Sequence, residues 1–227
     1  MAEAGAKVYV VARSEESLEA LQGQAQAAGL FIKGLSVDLS QAGAAELLMR
    51  RFQEQAGAQL DVLVNNVGRN IRKPTADYAP DDYDAITNLN LRSVYELCQQ
   101  AYPLLKASRG CIVNTTSVAG MTHVSSGSIY GMTKAALVQL TRNLAVEWAA
   151  EGIRVNAVAP WYISTPLAQP VLSDPEKLTK ILSRTPLNRI GTPEEVAAAI
   201  VFLSLPAAGY ITGQCLAVDG GFLANGY

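Results

Sequence analysis

Three cysteines, one histidine and a charged fraction of only 17% leave this 227-residue chain short of the side chains that build metal centres and charge-driven interfaces. Cys98, Cys111 and Cys215 are odd in number, widely spaced and form no Cys-x-x-Cys pair. They read as small buried hydrophobes in a reducing compartment, so neither a disulfide nor a bound metal is expected. Lys and Arg number 18 against 20 Asp and Glu, a formal net charge of −2, with no basic block. Nothing electrostatic therefore calls for a nucleic acid or an anionic membrane. No apolar run approaches the roughly 20 residues of a membrane span, and the first residues carry no signal-peptide pattern. A soluble, cytoplasmic protein is the expectation.

Hydrophobic residues make up 49%, enough for the core of a single domain spanning 1–227. Short β-branched runs at 8–12, 34–39, 60–66, 111–116, 153–159 and 214–219 alternate with long helical patterns. Most runs are apolar nearly throughout, as parallel strands covered on both faces are. Ser14 caps the first helical pattern, with Glu15 and Glu16 where negative charge suits the helix dipole. The pattern at 128–150 ends before Gly152, a C-terminal stop, and Thr192-Pro193-Glu194-Glu195 has the form of a capping box. This alternation predicts an α/β fold, a Rossmann-like doubly wound parallel sheet. Ligands of such sheets sit beyond the carboxyl ends of the strands. Those ends carry Arg13, Asp38, Asn65-Asn66-Val67-Gly68, Ser117 and Pro160 to Thr165.

Tyr130 and Lys134 lie four residues apart near a helix start, one turn apart on one face. A tyrosine with its ordinary pKa of about 10 exchanges protons poorly near neutrality. A neighbouring ammonium and the positive end of a helix both lower that value, which suits proton exchange with a carbinol oxygen. Ser117, at the end of the preceding strand, could hold the same oxygen. Taken alone, the pair is equally two amphipathic residues on a solvated face.

Their surroundings add specificity. Asn65-Asn66-Val67-Gly68, Thr116-Ser117-Val118-Ala119-Gly120, Tyr130-Gly131-Met132-Thr133-Lys134 and Arg154-Val155-Asn156-Ala157-Val158-Ala159-Pro160 follow in one order. Ile211-Thr212-Gly213-Gln214 and Val218-Asp219-Gly220-Gly221 close the chain. Together they resemble the short-chain dehydrogenase/reductase family. Asn70-Ile71-Arg72-Lys73-Pro74 and the run Ala207 to Gly213 look like its tropinone-reductase-like branch.

The resemblance implies that Tyr130 is the acid/base, Ser117 orients the carbonyl, and Lys134 binds the nicotinamide ribose and lowers the tyrosine pKa. Asn90 matches the helix asparagine of the family's proton relay, with Asn88 the alternative two residues away. Asn65, Val67 and Gly68 match the turn beside the adenosine ribose, Val67 replacing the usual alanine; an ordinary Asn/Gly turn is the competing reading. Asp38 resembles the adenine-contacting acid and is also a plausible helix cap. Arg13 and Ser14 stand where an acid would favour NAD, so NADP(H) is preferred, unless Arg13 is an idle surface residue. Pro160, Ile163 and Thr165 correspond to the segment beside the nicotinamide. Trp161 replaces a glycine and cannot take positive φ cheaply, so Trp161 or Tyr162 shapes the substrate pocket, with His123 a further candidate or a plain loop histidine. Arg69, Arg72 and Lys73 at the mouth would disfavour a protonated amine and tolerate an anionic carbonyl; a solvated basic loop is the alternative.

The implied activity is NADP(H)-dependent reduction of a small ketone or aldehyde, or oxidation of the corresponding alcohol. A homo-oligomer, dimer or tetramer, is also implied, with Phe202, Leu203 and Leu205 available to it or to an ordinary core. An epimerase or dehydratase on the same fold is a further possibility. The family opens with a strand and a Gly-rich, phosphate-cradling turn, and this sequence shows neither: 1–6 reads as the end of a helix. About 30 residues of a βαβ unit are thus absent, which predicts a truncated domain with a missing or rearranged first, central strand. Each unpaired interior backbone group would cost about 1–3 kcal/mol, so a closed-up or rearranged sheet is expected. A truncated relic acting as a binding or scaffold protein is the alternative function. Titrating the 227-residue chain with NADPH should reveal impaired binding; micromolar affinity would overturn that expectation.

Overall fold

The burial of the strands sets the layers. The computed structural model describes residues 1–226; Tyr227, the last residue of the expected domain, lies outside the described residues. β4 (Cys111–Thr115) and β5 (Arg154–Pro160) carry Ile112, Val113, Val155, Ala157 and Val158 with no exposed surface. Side chains alternate across a strand. Ile112 accordingly joins one hydrophobic cluster, with α2 (Ala44–Ala56) and α4 (Ser93–Ser108), while Val113 joins another with α8 (Pro193–Ser204). Helices thus cover both faces, which is why these strands are apolar at nearly every position.

All pairings among the described residues are parallel, and they form two pieces. β1 (Val8–Ala12) pairs with β2 (Ile32–Ser36), from Val8↔Ile32 to Ala12↔Ser36. β3 (Val62–Asn65), β4, β5 and β6 (Cys215–Val218) form the other piece in that order. β1 does not pair with β3, so the predicted interruption of the central sheet is present. Of the two expected outcomes, closed-up or rearranged, the sheet does not close up. Leu35, Val37 and Phe52 share one cluster with Val94, Leu105 and Ile112, so α2 and α4 join both pieces through a common core. β1 is half-buried along its whole length, as is β3 up to Val64, whereas β4 is buried from Cys111 to Asn114.

Several boundaries differ from expectation for local reasons. β2 starts two residues early and stops at Ser36 because Asp38 Oδ1 accepts from the Ser40 amide (3.0 Å) and hydroxyl (2.8 Å), turning the chain away. α5 (Ser128–Glu147) ends before Ala150, and a 3₁₀ turn at Ala149–Glu151 leads to Gly152, left-handed at φ 77°. α1 (Glu15–Ala27) has the predicted cap, Ser14 Oγ accepting from the Ser17 amide at 3.1 Å. At α8, Glu195 accepts from the Thr192 amide at 2.9 Å, one half of the expected box. Leu203 is 2% exposed and belongs to the core, leaving Phe202 and Leu205 at the surface.

Gly120 fixes how α5 meets β4. A Cβ there would stand 2.6 Å from both the Ala135 nitrogen and the Lys134 carbonyl carbon, which are helix backbone and cannot move alone. Gly120→Ala should therefore lower stability by about 1–3 kcal/mol through overpacking, read as a reduced midpoint in urea unfolding. An unchanged midpoint would mean that helix and loop are not in this contact.

Candidate active site

α5 begins just beyond the β4–α5 loop, and its first turns bring Tyr130 and Lys134 beside Ser117 at the end of β4. Lys134 is 4% exposed. Its Nζ donates to the Thr115 carbonyl at 2.8 Å and lies 5.6 Å from the centroid of the Tyr130 ring. Burial in low dielectric disfavours the ammonium and lowers its pKa from 10.5 to about 8. Ser117 Oγ accepts from the Ala119 amide at 3.2 Å and faces the Pro160 carbonyl at 3.5 Å.

The Tyr130 phenol departs from the expectation that its pKa is lowered. Burial raises it, opposed by a hydrogen bond with Ser117 and by the charge of Arg72, with Tyr162 adding a smaller raising effect. Lys134 lies against the ring and directs a proton at Thr115, so its charge is not among the causes acting on the phenol oxygen.

Asn90 lies in a π-helical turn, Asn88–Arg92, between α3 (Pro80–Thr87) and α4. A π turn is a common device at functional sites because it re-aims side chains. Asn90 is fully buried, its Oδ1 accepting from the Arg69 amide and its Nδ2 donating to the Arg69 carbonyl, each at 2.8 Å. Asn88 instead accepts from the Arg92 guanidinium at 3.2 Å. A Cβ on Gly68 would stand 3.4 Å from Asn90 Oδ1 and 3.6 Å from Lys134 Nζ, so this turn, Asn90 and the amine converge.

The other predicted residues divide. Asn65 is buried, donating to Asn114 Oδ1 at 2.9 Å, and Asn114 donates to Thr141 Oγ1 at 2.9 Å; this chain of amides ties β3, β4 and α5 together. Val67 packs against the large core cluster. Arg13 and Asp38 stand near the ends of adjacent strands, and Asp38 is held below its usual range chiefly by the Ser40 amide and hydroxyl, with Arg13 the smallest contributor. Asp38 caps a turn, since α2 starts only at Ala44. Ile163 forms an isolated parallel bridge with Gly191, and Thr165 Oγ1 donates to the Ile163 carbonyl at 3.3 Å. Trp161 avoids positive φ. Its ring stacks on Phe222 at 3.9 Å and 10°, and its indole N–H donates to Thr185 Oγ1 at 3.1 Å. Trp161, Tyr162 and Ile163 border a cavity of about 440 Å³. His123 is exposed and makes no hydrogen bond with a described residue.

Sequence reasoning missed the Thr115 carbonyl, which carries no residue signature, as well as Asn114, Thr185 and Phe222. Asn114 did have one: a single amide inside the buried strand Cys-Ile-Val-Asn-Thr.

The residues present fit the nicotinamide-ribose half of a dinucleotide. The Lys134 ammonium has one recorded acceptor for three donors, Thr115 Oγ1 is buried without a partner among the described residues, and Gly68 leaves the approach open. Among the described residues no group of acids, histidines and cysteines could hold a metal, and no helix is long and apolar enough to cross a membrane.

Residues 1–223 match the family model described as enoyl-(acyl carrier protein) reductase. The chain is 50% identical over 228 residues to a tropinone reductase homolog of Arabidopsis thaliana, covering all of this chain and 86% of that protein. A gluconate 5-dehydrogenase of Burkholderia cenocepacia, solved with NADP and tartrate, superposes with a TM-score of 0.93 at 31% identity, over 98% of this chain and 88% of that one. A 7α-hydroxysteroid dehydrogenase, solved with NADH and 7-oxo glycochenodeoxycholic acid, gives 0.91 at 32% identity, over 97% and 86% of the two chains.

The depressed Lys134 amine has a testable sign. Between pH 8 and 10.5 the unfolded chain keeps this proton and the folded chain does not, so stability rises with pH across the window. Lys134→Met should remove that rise, seen by urea unfolding at both ends of the window. Parallel pH profiles for the two proteins would show an amine of ordinary pKa.

Proposed function

Because the chain belongs to the short-chain dehydrogenase/reductase family, in its tropinone-reductase-like branch, we propose that it reduces a small ketone or aldehyde, or oxidises the corresponding alcohol, with Tyr130 as acid/base. The observation that carries this reading is the clustering of Ser117, Tyr130 and a buried Lys134 beyond the end of β4. Hydride chemistry is what the nicotinamide supplies when bound. The chain's own work is to hold the carbonyl and move a proton. Ser117 donates to the carbonyl oxygen and keeps it against the phenol. Tyr130, raised above its ordinary 10 chiefly by burial, is protonated at neutral pH and so is ready to give its proton to that oxygen. Lys134 offers its remaining N–H donors to ribose hydroxyls beside Gly68. Asn90 holds the Arg69 backbone and so the turn that borders the amine.

NADP(H) is the proposed cofactor in preference to NAD(H), since Arg13 is exposed near the end of β1 with no side-chain hydrogen bond to a described residue, which leaves its donors open to a 2′-phosphate even though its charge reaches Asp38. Ile163 and Thr165 border the carboxamide in this reading, Ile163 being bridged to Gly191 and Thr165 bonded to the Ile163 carbonyl. The domain is read as one unit, in the cytoplasm, self-associating through exposed apolar residues such as Tyr95 and Val146 on the long helices and Phe202, Leu205 and Tyr210 near the C-terminus.

Tyr130→Phe preserves the ring over Lys134 but removes the proton. It should lower kcat/KM by about 10²–10⁴-fold in NADPH oxidation assays over a panel of ketones and aldehydes. Undiminished turnover would end this assignment.

A further inference from the structure

Three cations follow the Asn65–Gly68 turn, and their surroundings separate them. Lys73 pairs with Asp82 at 2.6 Å. Arg69 acts on the same carboxylate, adding to the lowering of its pKa, which comes first from Lys73. Arg72 makes no hydrogen bond or ion pair with any described residue, although the strip that carries it is pinned on both sides. Asn70 Nδ2 donates to the Ser126 carbonyl at 2.9 Å, the Tyr78 hydroxyl donates to the Ile71 carbonyl at 2.6 Å, and Thr75 Oγ1 contacts Ser128 Oγ at 3.0 Å. A Cβ on Gly127 would stand 3.4 Å from the Ile71 carbonyl and would collide with the Tyr78 hydroxyl, so only glycine lets the strip lie this close. Residues 70–75 therefore run along 126–128, the lead into Tyr130, with Arg72 between the fixed points.

The groups that feel the Arg72 charge are the phenols of Tyr130 and Tyr162. Lys177, the other cation acting on Tyr162, is neutralised by Asp174 at 2.7 Å. No carboxylate is among the groups acting on either phenol. An exposed guanidinium with no partner among the described residues thus sits on a braced strip beside the segment that leads into Tyr130.

We propose that Arg72 selects the substrate, and that the site takes a small ketone or aldehyde bearing a carboxylate, which pairs with the guanidinium while the carbonyl oxygen meets Ser117 and Tyr130. The proposal rests on the carbonyl-reducing reading above and specifies its substrate class. A guanidinium matches a carboxylate with two parallel N–H donors, whereas a protonated amine in the same place meets a like charge with no acid to offset it.

Levulinate and levulinamide are a matched pair of probes, both ketones, differing in the charge of the far end. With NADPH, levulinate should be favoured in kcat/KM by about tenfold, about 1.4 kcal/mol, mainly through KM, and the preference should fall as salt rises. Arg72→Gln should bring the ratio close to unity, and Arg72→Lys should restore part of it. A wild-type ratio near unity, or one unmoved by Arg72→Gln, overturns the proposal. NMR titration of both probes reads binding without turnover. If no carbonyl is reduced by any variant, the reductase reading fails, yet tighter binding of levulinate that is lost in Arg72→Gln still supports the anion site. Equal binding of the two probes overturns it whether or not turnover is seen.

Discussion

A lysine buried at the junction of β4 and α5 sets the geometry around it. Taking an ammonium out of water is costly unless its protons find acceptors, and here the Thr115 carbonyl takes one at 2.8 Å. That bond fixes the helix against the strand end, and Gly120 permits the approach because a Cβ would collide with the helix backbone. Tyr130, one turn earlier, is carried over the amine, and Ser117 stands at the last turn of chain before the loop. The same burial that depresses the amine raises the phenol, so both groups remain protonated at neutral pH. Electrostatic help for the phenol comes from Ser117 and Arg72, on other segments, rather than from the lysine one turn away.

Buried amides do for the backbone what the lysine does for the helix. Asn90 closes two hydrogen bonds on Arg69, holding the turn that brings Gly68 beside the amine. Asn65, Asn114 and Thr141 form a chain of bonds from β3 through β4 to α5 in an otherwise apolar core. Asn114, bonded at both its oxygen and its nitrogen, resists register slip, because losing one partner leaves a buried donor or acceptor unsatisfied. The interrupted sheet is spanned differently, by packing: α2 and α4 bury a common cluster that includes residues from both of its pieces.

The aromatic segment after β5 illustrates how a replaced glycine changes the use of a loop. Trp161 keeps ordinary backbone angles and turns its ring onto Phe222, with Thr185 taking the indole proton. The stack fastens the C-terminal segment to the end of β5, and Tyr162 follows edge-on at 4.6 Å. Aromatic bulk here therefore contributes rigidity first, and shapes the neighbouring cavity as a consequence.

Sequence alone determined the strand–helix alternation, the parallel sheet, and the spacing that puts Tyr130 and Lys134 on one face. Each is a periodic or local property, readable from which residues repeat at two or at four. Element ends were legible where a side chain makes the cap, as at Ser14, and less so where a side chain such as Asp38 draws off the backbone to form a turn. What only the tertiary structure decided were partners and signs. The Thr115 carbonyl has no residue identity to read. That Asn90 is buried against Arg69 while Asn88 turns to Arg92 depends on a π turn, and which of three neighbouring cations is left without a carboxylate depends on where Asp82 lies. The direction of the Tyr130 shift hinges on burial outweighing charge, and burial is a sum over residues distant in the chain.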